Sequence, residues 1–515
     1  MPNKISLWLE TLPPRGSYLL AALCGGIAAA ILPPFFLWAL APIAFGGLYL
    51  LLINARGFKQ SFWVGWWFGF AHHVLGLYWI ANALLTDPEQ FGWMVPFAVS
   101  GIPAAMAVYI GMATALHHRL VRGRARRLFG AVLFAALWVF TEFLRAHLFT
   151  GFPWNLIGYA FNVSDATLQA GSFLGIYGLS FIVVLGASMP ALLFFRPQPA
   201  IPAVLTFTLL VPLLLYAYGA HRLAGAQVEH TDINLHIVQA DITQQHKWDP
   251  EKRLMNVRAH LDLSRGAPRH SLVLWPETAT PFFLHDDGEL RGEISKALGP
   301  DKTLITGALR MRPYGPGPRD FDLWNALEVL RGGEILTFYT KNRLVPFGEY
   351  VPLRPLIPFV QKITAGGKDF SRGEGPVTRS ASGVPVFLPL ICYEVIFPEY
   401  SFTKERPEWM VNITNDGWFG ISTGPHQHFE MARMRAVEQG VPLARVANTG
   451  ISGVVNPYGK VESQIALGTR GFIDVKLPKP MIIPPLYARW GDAPAFSLIA
   501  ALLIFAYGLV RNKKD

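Results

Sequence analysis

The chain contains two kinds of segment that differ in how their apolar residues are arranged. Long, almost uninterrupted apolar stretches fill most of the first 220 residues and recur near the end. A helix needs about 20 mostly apolar residues to cross a bilayer, and most of these stretches approach that length. The pattern therefore predicts a multi-pass membrane domain with about eight spans, at residues 18–33, 35–53, 61–84, 92–116, 128–148, 172–195, 199–218 and 493–510.

The segment from about 220 to 490 has the pattern of an α/β domain instead. Short apolar runs bounded by turn residues predict strands, and longer amphipathic stretches predict helices. We expect strands at 233–240, 271–277, 303–309, 325–330, 334–339, 384–393 and 409–414, helices at 250–264 and 426–439, and a closing element at 444–455. Because strands and helices alternate loosely, with some hairpin-like pairs, the prediction is a mixed, layered sheet.

Composition supports the membrane prediction and changes the interpretation of the net charge. Apolar residues make up 51% of the 515 residues and charged residues 16%, a balance typical of a membrane protein. The net charge of +10 could indicate nucleic-acid binding. However, residues 229–480 hold 29 Lys and Arg against 28 Asp and Glu, so the basic excess belongs to the hydrophobic part. There it orients membrane spans, and we expect no nucleic-acid partner.

The charges beside the predicted spans indicate how the chain crosses the membrane. Loops after the even-numbered spans are basic, whereas Asp87 and Glu89 follow span three. Basic loops face the cytoplasm, so both termini should be cytoplasmic and the α/β domain should lie outside. The predicted domains are 1–220 (spans one to seven), 221–490 (the α/β domain) and 491–515 (span eight and tail). The basic residues are Arg56, Lys59, Arg119, Arg122, Arg124, Arg126, Arg127, Arg196, Arg511, Lys513 and Lys514.

Three of the predicted strands end beside residues that can carry chemistry, namely Glu277, Lys341 and Cys392. A strand end holds a side chain rigidly while leaving it reachable. A cysteine nucleophile needs a base and a positive neighbour; a carboxylate can be the base, and an ammonium group can stabilise an oxyanion. Taken singly, Cys392 could be an inert core residue, and Glu277 and Lys341 could form a structural ion pair.

The motifs around these residues resemble a known superfamily. Trp-Pro-Glu at 275–277, Lys-Asn-Arg-Leu-Val-Pro-Phe-Gly-Glu-Tyr-Val-Pro at 341–352 and Cys-Tyr-Glu at 392–394 are similar to the Glu-Lys-Cys motifs of the nitrilase, or carbon-nitrogen hydrolase, superfamily. Within it, the chain resembles the bacterial apolipoprotein N-acyltransferase family. That resemblance extends to residues 150–155, 412–419, 435–438 and 447–452 and so covers almost the whole chain.

The resemblance implies an αββα sandwich for the α/β domain and a role for each site residue. Cys392 would be the nucleophile, Glu277 the general base and Lys341 the oxyanion stabiliser. Auxiliary roles are implied for four further residues, Trp248, Glu349, Tyr393 and Glu394. Glu349 would orient Lys341 or the amine, and the backbone N–H of Tyr393 would help to bind the oxyanion. Trp248 matches a tryptophan that the family uses near its substrate, with packing between domains as an equal alternative.

The implied reaction is acyl transfer through a cysteine thioester, without a metal or cofactor. The donor would be a membrane phospholipid, and the acceptor the N-terminal α-amine of a diacylglyceryl-cysteine apolipoprotein. Both substrates are anchored in lipid, which explains why the domain would be tied to the inner membrane, on its periplasmic side. Two alternatives stay open: a membrane-tethered nitrilase-like amidohydrolase of small amides, and a transporter or scaffold with an inactive domain.

Other polar motifs lead to further predictions. His426 and His428 could offer two metal ligands, but no partner cluster with zinc spacing accompanies them, so we expect hydrogen bonding near a helix N-terminus. His72 and His73 lie within span three, where ionisable groups are functional candidates. Residues 350–380 are rich in proline, glycine and apolar side chains. They predict a hinged lid or membrane-dipping arm, with a plain surface loop as the alternative.

Overall fold

A computed structural model describes residues 8–9, 11–121, 127–195, 201–317, 320–356, 360–364 and 366–511. Several residues used in the predictions lie outside this described part, namely Arg122, Arg124, Arg126, Arg196, Lys513 and Lys514, and Pro358 and Phe359 of the predicted lid. The chain divides into two compact units. The first contains Met1–Ala81, Met94–Ala226 and Pro485–Asp515, and the second contains Asn82–Trp93 and Gln227–Pro484.

The first unit is helical. A helix satisfies its own backbone hydrogen bonds, which is why uninterrupted apolar sequence folds this way in a membrane. Several of the helices have proline in their first turn, where its missing N–H costs nothing. The long helices are Pro14–Ala30, Ala41–Ile53, Phe58–Leu77, Val95–Leu120, Arg127–His147, Gly171–Ser188, Val211–Ala224 and Ala493–Arg511. Shorter helical segments of this unit are Trp38–Leu40, Ile157–Val163, Asp165–Leu168, Met189–Phe194, Ile201–Leu205, Thr206–Leu210 and Leu486–Trp490. Three more, Ile80–Leu84, Pro88–Phe91 and Gly92–Met94, lie wholly or partly in the Asn82–Trp93 stretch of the second unit.

The predicted count of about eight spans is not confirmed. Within the described residues, four helical segments are long and apolar enough to cross a membrane: Pro88–Leu120, Arg127–His147, Gly171–Phe194 and Ile201–Ala224. The first two predicted spans form helices of only 17 and 13 residues. The first helix ends ahead of Pro33 and Pro34, because proline cannot continue a helix that approaches it, and the second has Pro42 in its first turn.

The second unit is built on two six-stranded sheets. Its strands are β1 (His230–Gln239), β2 (Leu272–Leu274), β3 (Thr303–Pro313), β4 (Phe321–Arg331), β5 (Glu334–Thr340), β6 (Arg379–Ala381), β7 (Val384–Ile391), β8 (Trp409–Thr414), β9 (Leu443–Ala447), β10 (Ser452–Val455), β11 (Val461–Ile465) and β12 (Gly471–Pro478). The spatial orders are β12-β1-β2-β3-β4-β5 and β11-β10-β9-β8-β7-β6. In each sheet three parallel strands, β1 to β3 or β7 to β9, are flanked by antiparallel ones.

Helices and sheets form the four layers of an αββα sandwich. Leu235 and Ile305 of the first sheet share one buried cluster with Val411 of the second, so the sheets pack face to face. A second cluster joins the outer face of the first sheet to helices α1 (Arg253–Ser264) and α2 (Gly288–Leu298). Helix α3 (Thr423–Gln439) packs on β9 of the other sheet. The predicted fold class is confirmed, and strands buried on both faces explain the continuous apolar runs.

Some boundaries differ from the predictions. Residues 444–455 form two antiparallel strands, β9 and β10, rather than one closing element. Helix α3 begins at Thr423, three residues before the predicted start, because the Ser422 hydroxyl accepts the Gly424 N–H and caps it. Strand β11 has three consecutive polar residues, Glu462 to Gln464, and β12 has Asp474 and Lys476 at alternate positions, so no buried apolar run marked either strand. The short helix Gln244–Lys247 and the helical turns Cys392–Ile396, Pro398–Ser401 and Asp416–Trp418 complete the unit.

Gly307 allows the loop after β2 to pack tightly on β3. A Cβ at this position would lie 2.3 Å from the backbone N of Thr278 and 2.6 Å from Cα of Glu277. The two backbones are also joined, since Gly307 N donates to Pro276 O at 3.2 Å and Thr280 N donates to Gly307 O at 3.2 Å. Only a residue without a side chain fits this approach.

We expect Gly307→Ala to destabilise the second unit by about 1–3 kcal/mol, the usual cost of forcing an extra methyl group into a packed interior. Thermal unfolding of the purified protein in detergent measures the effect. Gly292→Ala is the matched control, because a Cβ there meets no atom within 4 Å and alanine is a better helix former than glycine. A Gly307→Ala variant as stable as Gly292→Ala would contradict the packing argument.

Candidate active site

Glu277, Lys341 and Cys392 follow the carboxyl ends of strands β2, β5 and β7. Strand β3 is parallel to β2 and antiparallel to β4, which is antiparallel to β5. Strands β2 and β5 therefore end at the same edge of the first sheet. The three side chains are 5%, 1% and 6% exposed, respectively, so the sandwich encloses groups that would otherwise be hydrated.

Lys341 is the centre of a buried charge cluster. Its Nζ lies 3.4 Å from Glu277 Oε1 and 3.0 Å from Glu349 Oε1. Asn325 of β4 donates its Nδ2 to the same two oxygens, at 2.6 Å and 3.1 Å. The second oxygen of Glu349 accepts the Val345 N–H at 2.9 Å. One cation and one amide thus hold two carboxylates side by side.

The charges of this cluster set the protonation state of Lys341. Burial by itself lowers the pKa of Lys341, but the carboxylates of Glu349 and Glu277 outweigh burial and raise the pKa above its usual value. Lys341 therefore stays an ammonium group at physiological pH and can stabilise negative charge.

Cys392 lies in a strained turn directly after β7. Its φ is 49°, in the left-handed region that residues with a Cβ avoid at a cost of order 1–3 kcal/mol. Thr278, directly after Glu277, has a φ of 46°. Such backbone persists only where the surroundings enforce it, and it clusters at functional sites. Two of the three candidate residues thus lie in or beside strained turns.

Glu394 is the main anchor of the Cys392 turn. One of its oxygens accepts the Ile391 N–H at 2.8 Å, and the other accepts the Asn342 N–H at 2.8 Å and the Tyr339 hydroxyl at 2.8 Å. Burial raises the pKa of Glu394 to about 7. The Glu394 side chain therefore ties the cysteine turn to the segment that carries Lys341. Tyr393 is buried, and its ring packs edge to face on Phe397.

The thiol of Cys392 is not activated at rest. Burial and, to a smaller extent, the charge of Glu277 raise its pKa to about 12, although the charge of Lys341 opposes both. A thiol with this pKa is protonated at physiological pH and reacts only when a base takes its proton. Glu277 and Lys341 thus both act electrostatically on the sulfur.

Two polar residues of this site were missed by the sequence analysis. Asn325 interrupts an apolar run, which could have marked it as a buried polar residue with a purpose. Lys247 gave no such signal, since polar residues surround it. In the structure Lys247 is buried and its Nζ donates to the backbone O of Glu277 at 2.6 Å. Burial lowers the pKa of Lys247 to about 8.

Trp248 and the predicted lid, residues 350–380, directly follow residues of this cluster in the sequence. Trp248 follows Lys247 and is half-buried, and among the described residues its indole N–H has no hydrogen-bond partner. Within 350–380, the Phe370 N–H donates to Glu349 O at 3.0 Å. Leu353 and Leu356 are 71% and 74% exposed. The segment is thus fixed next to Glu349 at one point and presents apolar side chains at another.

His426 and His428 differ in their surroundings. His426 is half-buried, whereas His428 is fully buried and hydrogen-bonded to Asp416 and to the backbone of Cys392. The hydrogen-bonding prediction therefore applies to His428, in the second turn of α3. Within the part of the chain that the structure describes, no group of three His, Cys, Asp or Glu side chains could hold a metal ion.

Comparison with known proteins covers both units. Residues 24–189 match the family model of the apolipoprotein N-acyltransferase N-terminal domain, and residues 235–484 match the model of carbon-nitrogen hydrolase. The apolipoprotein N-acyltransferase of Rhodopseudomonas palustris is 37% identical over 510 residues, 94% of each chain. That of Bradyrhizobium diazoefficiens is 36% identical over 95% of this chain and 94% of its own length. That of Rickettsia typhi is 34% identical over 95% of this chain and 97% of its own length. The chain belongs to the apolipoprotein N-acyltransferase family.

Proposed function

We propose that this membrane protein transfers an acyl chain from a phospholipid to the N-terminal α-amine of diacylglyceryl-cysteine lipoproteins, through a thioester on Cys392. Family membership supports the acyltransferase activity and the lipoprotein acceptor, and matches over both units do not support a small-amide hydrolase or a scaffold. The donor, the triad and the covalent intermediate are our proposal. The observation that carries it is the buried Lys341 ammonium, held against Glu277 after the ends of β2 and β5, with the charges of both acting on the buried Cys392 after β7.

In the first step, the Cys392 sulfur attacks the ester carbonyl carbon of the phospholipid while Glu277 takes the thiol proton. The carbonyl oxygen becomes an oxyanion beside Lys341 and the Tyr393 N–H. The C–O ester bond then breaks, and the leaving alkoxide takes the proton back from Glu277. A lysophospholipid leaves and an acyl thioester remains. Because the pKa of the Cys392 thiol is about 12, proton removal has to accompany the attack, which is general base catalysis.

In the second step, the lipoprotein amine attacks the thioester carbonyl. Glu277 takes a proton from the amine nitrogen, and the same oxyanion donors stabilise the second tetrahedral intermediate. The C–S bond breaks, the sulfur recovers its proton from Glu277, and the product carries a new amide. A reaction divided in this way follows ping-pong kinetics.

The hydrogen bonds favour Glu277 over Glu349 as the base. Both oxygens of Glu349 are engaged, by Lys341 and Asn325 on one side and by the Val345 N–H on the other. The side-chain hydrogen bonds of Glu277 within the described residues all fall on Oε1. The Oε2 atom is therefore available to receive a proton, whereas Glu349 acts by holding Lys341.

We infer that the protein lies in the cytoplasmic membrane with its catalytic unit on the periplasmic side and both termini in the cytoplasm. The support is the basic character of the loops after the even-numbered predicted spans, including Arg56, Lys59 and Arg119. The domain division that goes with this proposal is 1–220, 221–490 and 491–515.

Cys392→Ala should abolish acyl transfer, because a methyl group cannot form the thioester. Wild-type enzyme given phospholipid without acceptor should gain one acyl group in intact-mass analysis, removable by neutral hydroxylamine. Cys24→Ala is the matched control and should keep both the adduct and the activity. Steady release of free fatty acid without an adduct would instead support hydrolysis.

Glu349→Gln should move the alkaline limb of the pH–rate profile to lower pH. The carboxylate of Glu349 contributes most to raising the pKa of Lys341, so without it the lysine loses its proton, and the oxyanion its cation, at lower pH. Glu462→Gln, which removes a carboxylate paired with His230, is the control and should keep the wild-type profile. An unchanged limb in Glu349→Gln would show that Lys341 does not depend on Glu349.

Topology is tested by labelling single cysteines in a background without Cys24 and Cys392. A membrane-impermeant maleimide should reach Asp286→Cys in intact spheroplasts, since the Asp286 side chain is 63% exposed. It should reach Arg124→Cys only after the membrane is opened. The reverse pattern would place the catalytic unit in the cytoplasm and remove the lipoprotein acceptor.

A further inference from the structure

A buried histidine holds the backbone carbonyl of Cys392. His428 Nε2 lies 3.2 Å from Cys392 O, and His428 Nδ1 lies 2.9 Å from Asp416 Oδ1. The side chains of His428 and Asp416 are both 0% exposed. A carbonyl oxygen can only accept a hydrogen bond, so Nε2 carries a proton and donates it to Cys392 O. The Asp416 carboxylate also only accepts, so Nδ1 donates to it when the ring holds a second proton. Burial and the charge of Arg445 lower the pKa of His428 and oppose that form, whereas Asp416 raises the pKa and favours it.

Asp416 and its neighbours fix the orientation of this ring. Asp416 accepts hydrogen bonds from the Thr414 hydroxyl at 3.0 Å and from Arg445 at 2.7 Å. Arg445 also lies 3.1 Å from His428 Nδ1. Burial raises the pKa of Asp416, but the charges of Arg445 and His428 outweigh burial and bring the pKa to about 2. A permanent, fully buried anion therefore orients the histidine.

The carbonyl that His428 holds belongs to the same peptide group as the N–H of Tyr393. A peptide group is planar, and in the trans form its C=O and N–H point in opposite directions. Fixing the carbonyl therefore fixes the N–H. A hydrogen bond donated to the carbonyl also polarises the group and strengthens its N–H as a donor. Under the proposed function, this N–H is one of the two oxyanion donors.

We propose that His428, oriented by Asp416, is a positioning residue that aims the Tyr393 N–H at the oxyanion of both tetrahedral intermediates. The inference rests on the proposed function and deepens it, since it assigns to His428 the positioning of the second oxyanion donor, the Tyr393 N–H. His428 touches neither substrate nor the reacting sulfur, and it acts through the backbone of the nucleophile.

The turn has two anchors that act on different peptide groups. Glu394 accepts the Ile391 N–H, before the cysteine, whereas His428 holds the Cys392 carbonyl, after it. Without His428 the peptide after Cys392 can rotate while Glu394 still holds the thiol in place. The two anchors therefore separate two properties: the reactivity of the thiol and the stabilisation of the oxyanion.

Comparing two reactions of Cys392 tests this separation, in a Cys24→Ala background. Acyl transfer passes through an oxyanion, whereas alkylation by iodoacetamide is a displacement that forms none. We expect His428→Asn to lower kcat for acyl transfer by roughly 10²-fold, because loss of a whole oxyanion donor costs about 10²–10³-fold. The KM for phospholipid and the alkylation rate should stay unchanged.

Conservative and neighbouring variants serve as controls. The amide of His428→Gln reaches further than that of asparagine, close to the position of Nε2, so it should restore most of the lost transfer. His426→Asn, on the same helix and half-buried, should behave like the parent. If His428→Asn does not fold, Asp416→Asn takes its place in the same two measurements. Acyl transfer should again fall while the alkylation rate stays unchanged.

Equal losses of transfer and alkylation would overturn the proposal, because the histidine would then only hold the thiol or the fold. Wild-type transfer in folded His428→Asn would overturn it as well. Failure of the proposed function gives a different result, namely acyl transfer that survives Cys392→Ala.

Discussion

The site depends on a buried ammonium group that lies between two carboxylates. Removing one partner of such a buried pair costs about 3–5 kcal/mol, so Lys341, Glu277 and Glu349 constrain each other and the elements that carry them. The arrangement also suits the proposed chemistry. When Glu277 takes the thiol proton it becomes neutral, and at that moment the substrate oxygen becomes negative. The charge that Lys341 balances moves from one partner to the other, and the net charge of the buried site does not change.

A second constraint is the strained cysteine turn, since a φ of 49° has to be enforced from outside. Glu394 and His428 hold the backbone on either side of the sulfur, and each is itself fixed by buried polar partners. Glu394 bonds to the segment that carries Lys341, whereas His428 bonds to Asp416 after β8. Cys392 is thus tied both to the first sheet and to the core of the second, which fixes its position relative to Lys341.

The sequence predicted the parts of this site that depend on short-range pattern. Apolar runs located β2, β5 and β7, and Glu277, Lys341 and Cys392 stood out because each ends such a run. Asn325, Lys247 and Asp416 did not, because their roles depend on partners that are distant in sequence, such as Asp416 with Arg445. The span count was not confirmed, since apolar length alone does not show where a proline, such as Pro33, ends a helix. Strands β11 and β12 were missed because polar residues, Glu462 to Gln464 in β11 and Asp474 and Lys476 in β12, interrupt their apolar sequence.

The proposed triad alone does not decide between transfer and hydrolysis, because the carbon-nitrogen hydrolase model matches the unit that contains these residues. Water and an amine would use the same base and the same oxyanion donors. The difference has to come from which of the two acceptors, water or the amine, can reach the thioester. Cys392, Lys341 and Glu277 are all at least nine-tenths buried, and a water-poor site protects a reactive thioester from hydrolysis. An acceptor held in the same membrane as the donor is already concentrated near the site. Under the proposed function, burial of Glu277, Lys341 and Cys392 and membrane anchorage of the chain therefore act together to favour the amine.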